Sequence, residues 1–113
     1  MSYNIIYTKE AEQDLVDIYE YIAIKLLMPE TAKKQTRRIM EAIEGLNEMP
    51  GRHKLFEDEP WHSKGLRTLP VDNYLVFYLV LEEGNTVAIV RIMYGGRNID
   101  QQLSTIKTFD ATE

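Results

Sequence analysis

The chain of 113 residues contains no cysteine. Disulfide frameworks, thiolate zinc sites and cysteine nucleophiles are therefore excluded, and a reducing compartment suits it. No stretch approaches the run of about 20 apolar residues that a bilayer-spanning helix requires. The opening Met1-Ser2-Tyr3-Asn4 has neither the basic nor the apolar region of a secretory signal. The expectation is a cytoplasmic protein with no membrane association. There is no glycine-rich phosphate loop, Ser-His-Asp order or dinucleotide fingerprint, and no repeat, low-complexity run or linker. Positive charge is also short: a formal net charge of −5 argues against coating nucleic acid through bulk electrostatics, since phosphate affinity comes from clustered Lys and Arg. Any such contact must be local.

What is present fits one globular domain spanning residues 1–113, with 44% hydrophobic and 27% charged residues. Residues 1–60 carry eight Lys/Arg against twelve Asp/Glu, a net of −4, and residues 61–113 carry five against six, a net of −1. A surface for phosphate or an acidic partner is thus to be sought around Arg52, Lys54, Lys64, Arg67, Arg91 and Arg97.

Tyr3 to Tyr7 reads as a short strand. Thr8 then suits a helix N-cap, with Glu10 and Glu12 placed for the positive end of the dipole. Ala11, Leu15, Ile18, Ile22 and Leu26 recur at spacings of three and four and form a buried stripe. A second row, Val16, Tyr19, Ala23 and Leu27, widens the apolar arc beyond what one sheet surface covers. Either it is further core or something else packs there. Pro29 breaks the helix and suits the first turn of another, whose buried stripe is Ala32, Ile39, Ile43 and Leu46. Met49-Pro50-Gly51 ends this helical hairpin, and residues 52–63 read as loop. The period then changes to two. Gly65–Leu69, Tyr74–Leu81 and Thr86–Tyr94 read as strands, the last two joined by a turn at Glu82–Asn85. Tyr74–Leu81 is apolar without alternation, as expected of a central strand covered on both faces. Residues 100–109 suit a short helix or arm.

The β-α-α-β-β-β order, the stretch Gly65-Leu66-Arg67-Thr68-Leu69-Pro70-Val71-Asp72-Asn73-Tyr74 and the closing Met93-Tyr94-Gly95-Gly96-Arg97-Asn98-Ile99 together resemble the RelE/ParE toxins of bacterial type II toxin–antitoxin systems, especially the ParE-like branch. The resemblance covers nearly the whole chain. It implies an α+β fold in which a small antiparallel sheet packs against a two-helix hairpin. It also implies a cognate antitoxin encoded by an adjacent gene, for which the row Val16, Tyr19, Ala23 and Leu27 would be the docking face. The target would be DNA gyrase for a ParE-like toxin, or messenger RNA on the ribosome for a RelE-like endoribonuclease; a non-toxic interaction domain is the third reading, and a homodimer stays open.

Metal-free RNA cleavage needs a base, an acid and a cation beside the phosphorane. The candidates, for cleavage or for target contact, are Arg67, Arg91, Tyr94 and Arg97. An arginine among apolar strand residues needs a partner: phosphate, or an internal carboxylate such as Asp72 or Glu82. Tyr94 stands where many ParE-like sequences have a histidine. Trp61, His62 and Lys64 combine a ring that could stack with cations that could hold phosphate or a protein partner. His53 and His62 flank Glu57, Asp58 and Glu59, but their spacing matches no rigid ligand motif; neither metal nor cofactor is expected.

Overall fold

The computed structural model describes residues 2–95 and Leu103. The elements are β1 (Asn4–Tyr7), α1 (Lys9–Glu20) continued by a π-helical turn (Tyr21–Lys25), α2 (Pro29–Glu44), β2 (Arg67–Val71), β3 (Tyr74–Leu81) and β4 (Thr86–Tyr94). Thr8 caps α1 as its sequence suggests: its hydroxyl oxygen accepts from the Ala11 amide at 3.1 Å and donates to the Val90 carbonyl at 3.0 Å. Pro29 occupies the first turn of α2, where its missing N–H costs nothing.

The four strands form one sheet in the order β1-β4-β3-β2. β2, β3 and β4 are antiparallel to their neighbours, whereas β1 runs parallel to β4, with Asn4 opposite Thr86 and Tyr7 opposite Ile89. The sheet is therefore mixed: the expected antiparallel arrangement holds for β2, β3 and β4, and β1 departs from it. Side-chain alternation is the same in both senses of pairing, so direction is not encoded in it; the helical hairpin supplies the long crossover that parallel pairing requires. β2 also begins later than the sequence period implies, at Arg67 rather than Gly65. Gly65 has φ +84°, outside the extended region, and serves as the pivot from loop to strand. Pro70 is tolerated within β2 because the strand is at the sheet edge. There the Leu55–Arg67 bridge covers the start of that edge.

Both faces of β3 are covered. On the helical face Val76 and Tyr78 join Ala11, Ile39, Ile43, Leu46, Val87, Ile89 and Ile92 in one buried cluster. On the opposite face Phe77 joins Trp61, Leu66, Val90, Met93 and Leu103. The loop before β2 thus supplies the second layer. Leu26, expected in the buried stripe of the first helix, is instead half exposed. The π-turn inserts an extra residue into the helical repeat, so the stripe loses its register after Ile22. The expected arm at residues 100–109 lies outside the described residues except for Leu103, which is buried.

Tyr78 is fully buried and its hydroxyl donates to the Pro50 carbonyl at 2.6 Å. This bond ties β3 to the turn after α2. Tyr78→Phe should therefore cost about 1 to 2 kcal/mol, since a carbonyl loses its buried donor while the ring packing stays. The denaturant midpoint at unchanged m-value checks this.

Candidate functional site

The strand arginines lie on opposite sides of β3, with Arg67 opposite Tyr78 and Phe77 opposite Arg91, but their head groups are engaged differently. Between Phe77–Arg91 and Tyr78–Ile89 the register slips, leaving Val90 as the extra residue of a bulge. Such a bulge re-aims the neighbouring side chain. Arg91 reaches α1, where its Nε and Nη2 donate to the two carboxylate oxygens of Asp14 at 2.7 and 2.9 Å. The same carboxylate accepts the Ile92 amide at 2.9 Å. β1 ends at Tyr7, so this part of β4 has no strand neighbour on that side among the described residues, and Asp14 accepts the amide there. Asp14 is the buried charged residue among those described, 9% exposed. Its hydrogen bonds, followed by its charge, push the Arg91 pKa up against the opposing effect of burial.

An internal salt bridge for Arg91 is one of the two readings its sequence allows, but the partner is neither Asp72 nor Glu82. Asp72 accepts from Arg38 at 2.7 and 2.8 Å and from Gln35 at 3.0 Å, and Glu82 accepts from the Tyr3 hydroxyl at 2.8 Å. Sequence reasoning misses Asp14, although a signal exists. It follows Ala11 by three and precedes Ile18 by four, so it sits inside the buried stripe, where a carboxylate needs a cation.

Arg67 is half buried and donates through Nη1 to the His53 carbonyl at 2.7 Å, which holds the loop after α2 against the sheet. His53 packs edge-on to Tyr78 at 6.4 Å. Burial, then Arg52 and Arg67, lower the pKa of its imidazole, and burial pushes the Tyr78 phenol up to about 12. The histidine is therefore held toward its neutral form. Its Nε2 and the Thr68 Oγ1 are buried without a hydrogen-bond partner among the described residues, beside a shallow cleft bordered by Arg52, Lys54, Phe56 and Pro70.

Tyr94 is half exposed and stacks edge-to-face on Tyr74 at 5.7 Å. It stands three residues beyond Arg91, roughly 10 Å along the strand. Arg97 lies outside the described residues. Trp61, expected to offer a stacking ring, is only 9% exposed and packs in the second cluster. The loop folds inward there, and the ring that the sequence offered for stacking covers Phe77. His62 and Lys64, which follow Trp61 in the chain, are exposed, and His62 Nδ1 lies 2.9 Å from the Phe56 carbonyl. Among the described residues the expected contact candidates are thus distributed over four places: the Asp14–Arg91 lock, the His53–Arg67–Tyr78 corner, the Tyr74–Tyr94 ring pair and the turn carrying His62 and Lys64. Among the described residues no group of His, Asp and Glu could hold a metal ion, and no helix is long and apolar enough to cross a membrane.

The Asp72–Arg38 pair has a pH signature. Hydrogen bonds from Arg38, then Gln35, hold the Asp72 carboxyl below its ordinary range. A depressed folded pKa means that the contribution is complete above the unfolded value of about 3.9 and is lost as pH falls through the folded value. The stability difference between wild type and Asp72→Asn should therefore shrink toward zero on acidification below about pH 4, as urea unfolding at a series of pH values would reveal.

This arrangement of a helical hairpin on a small sheet is shared by toxins of bacterial toxin–antitoxin systems. The structure is similar to that of a chromosomal ParDE system from P. aeruginosa, with 26% identity over 82% of this chain and 96% of that one and a TM-score of 0.67. The RelBE2 toxin–antitoxin complex of Mycobacterium tuberculosis (22% identity, 83% and 99% of the two chains, TM-score 0.59) and a mutant of the E. coli toxin RelE in the free state (12%, 96% and 97%, 0.65) share the fold. Compared with curated protein sequences, the chain has no significant match. The family model for the ParE toxin of the parDE type II toxin–antitoxin system matches residues 5–99, and the chain belongs to that family.

Proposed function

We propose that the chain is a toxin that arrests growth by binding a macromolecular target, DNA gyrase, and that it does not cleave RNA. The observation that carries this reading is the bidentate Asp14–Arg91 pair. A nuclease built on this strand would aim Arg91 at phosphate, and here the guanidinium is matched to an internal carboxylate with the geometry a phosphate would otherwise use. The other described candidates support it. Tyr94 stacks on Tyr74 and Arg67 holds the His53 carbonyl, so among the described residues each is engaged internally and no base, acid and cation are paired as cleavage requires. In this reading His62 and Lys64, exposed on the turn before β2, are target contacts together with Arg52 and Lys54.

The partner in this reading is an antitoxin encoded by an adjacent gene. It lies along the apolar row of the first helix, where Val16 and Leu27 are exposed and Tyr19 and Ala23 half buried. A row left open at helical spacing is what a helix-in-groove partner fills. The protein is cytoplasmic in this reading, and needs no cofactor.

Brief induction of the chain in bacteria tests the proposal. Plasmid topoisomers should shift toward relaxed forms while transcripts stay full length. Shortened transcripts with cuts at ribosome-bound positions, and unchanged supercoiling, would instead establish the RelE-like endoribonuclease.

A further inference from the structure

Four of the exposed apolar residues among those described gather where the first helix ends. Within the π-turn and the connection to α2, Ile24 is 65% exposed, Leu27 81%, and Leu26 and Met28 each about half. Isolated exposed apolar residues are ordinary, but four within residues 24–28 form a patch. The backbone adds a second cost. The turn closes by bonds of 3.0 Å from the Leu26 amide to the Tyr21 carbonyl and from the Met28 amide to the Ile22 carbonyl, a widened helix ending followed by a left-handed residue, a position that is normally glycine. That position is Leu27, at φ 55°. A leucine there strains the backbone and leaves its side chain 81% exposed. Strain retained in this way marks a functional surface.

The charge around the patch identifies what covers it. Residues 25–38 hold five basic residues, Lys25, Lys33, Lys34, Arg37 and Arg38, against one acid, Glu30, a net of +4 in a chain of −5. Arg38 is held by Asp72 and Lys33 pairs with Glu30 at 3.6 Å. Lys25, Lys34 and Arg37 are exposed and form no ion pair among the described residues. An apolar knob inside a cationic rim fits an acidic segment that carries apolar side chains. The need for cover also begins at synthesis, which suits a co-produced partner better than a target met only transiently. We infer that the hairpin tip, Ile24 to Met28, is the anchoring knob for an acidic amphipathic segment of the antitoxin. This rests on the toxin–antitoxin reading above.

The experiment uses the full chain and, as probe, the purified protein encoded by the adjacent reading frame. Leu27→Gly deletes the knob and relaxes the backbone. Met49→Gly makes the matched change at a solitary methionine that is also left-handed (φ 48°) and 74% exposed. Both variants should unfold at or above the wild-type midpoint, because glycine suits the left-handed conformation. Leu27→Gly should weaken partner binding at least tenfold, and Met49→Gly should leave it within twofold. Lys34→Glu/Arg37→Glu should also weaken it at least tenfold and flatten its salt dependence. The inference is overturned if Leu27→Gly binds within twofold of wild type, if Met49→Gly loses as much, or if the knob instead holds two copies of the chain together, seen as a wild-type dimer that Leu27→Gly dissolves. Retained partner affinity with lost growth arrest would assign the tip to the target and overturn it likewise. A wild-type chain that neither arrests growth nor binds the probe would instead sink the toxin–antitoxin reading itself, and the inference with it.

Discussion

Asp14→Ala should destabilise the protein by about 3 kcal/mol, the cost of stranding one member of a largely buried ion pair. The side chains of Arg91 and Asp14 are only 16% and 11% exposed, so removal of the carboxylate leaves the guanidinium poorly solvated. The Ile92 amide loses its acceptor in the same step. The loss has a structural direction: Asp14 is what joins the first helix to the last strand beyond the end of β1. Asp14→Ala/Arg91→Met should recover much of the stability, because the apolar pair leaves no uncompensated charge. A double-mutant cycle by denaturant unfolding measures this coupling. Equal and additive losses would mean that the pair contributes little.

The second large effect belongs to the other face of the sheet. Phe77 is fully buried and meets Phe56 edge-on at 5.9 Å within the cluster of Trp61, Leu66 and Leu103. Phe77→Ala should cost about 4 kcal/mol, the transfer term plus an uncollapsed cavity, and lower the thermal midpoint by on the order of 15 °C. Because the loop before β2 is pinned mainly through this cluster, the cavity should also loosen it. Tryptic cleavage after the exposed Lys64 should then accelerate well before global unfolding, which a time course of limited proteolysis detects.

Much of the fold follows from local rules. Proline has one comfortable place in a helix, so Pro29 had to mark the start of α2; Thr8 followed by two acids had to cap the first helix. Continuous apolar residues from Tyr74 to Leu81 required cover on both faces, and two buried clusters provide it. Other features are set by distant partners. The parallel pairing of β1 and the slipped register near Val90 are choices of topology that leave no mark on side-chain period. The π-turn shifts one residue in a helix whose spacing otherwise looks regular, which is why Leu26 reads as core. Trp61 carries the same ring whether it stacks on a base or fills a core, and only the inward path of the loop decides between them. For the site, the strand arginines are legible as groups needing an anion, but the carboxylate that meets Arg91 lies 77 positions away. It is recoverable only by asking why an aspartate stands in an apolar stripe.

In the proposed function the chain acts by occupying DNA gyrase and leaves RNA intact. Purified gyrase supplied with relaxed plasmid and ATP, with and without the purified chain, tests it most directly, alongside ribosomes translating a defined message. Supercoiling should fall with increasing toxin while the message remains whole. Full supercoiling at saturating toxin, together with cleavage of the ribosome-bound message, would contradict it.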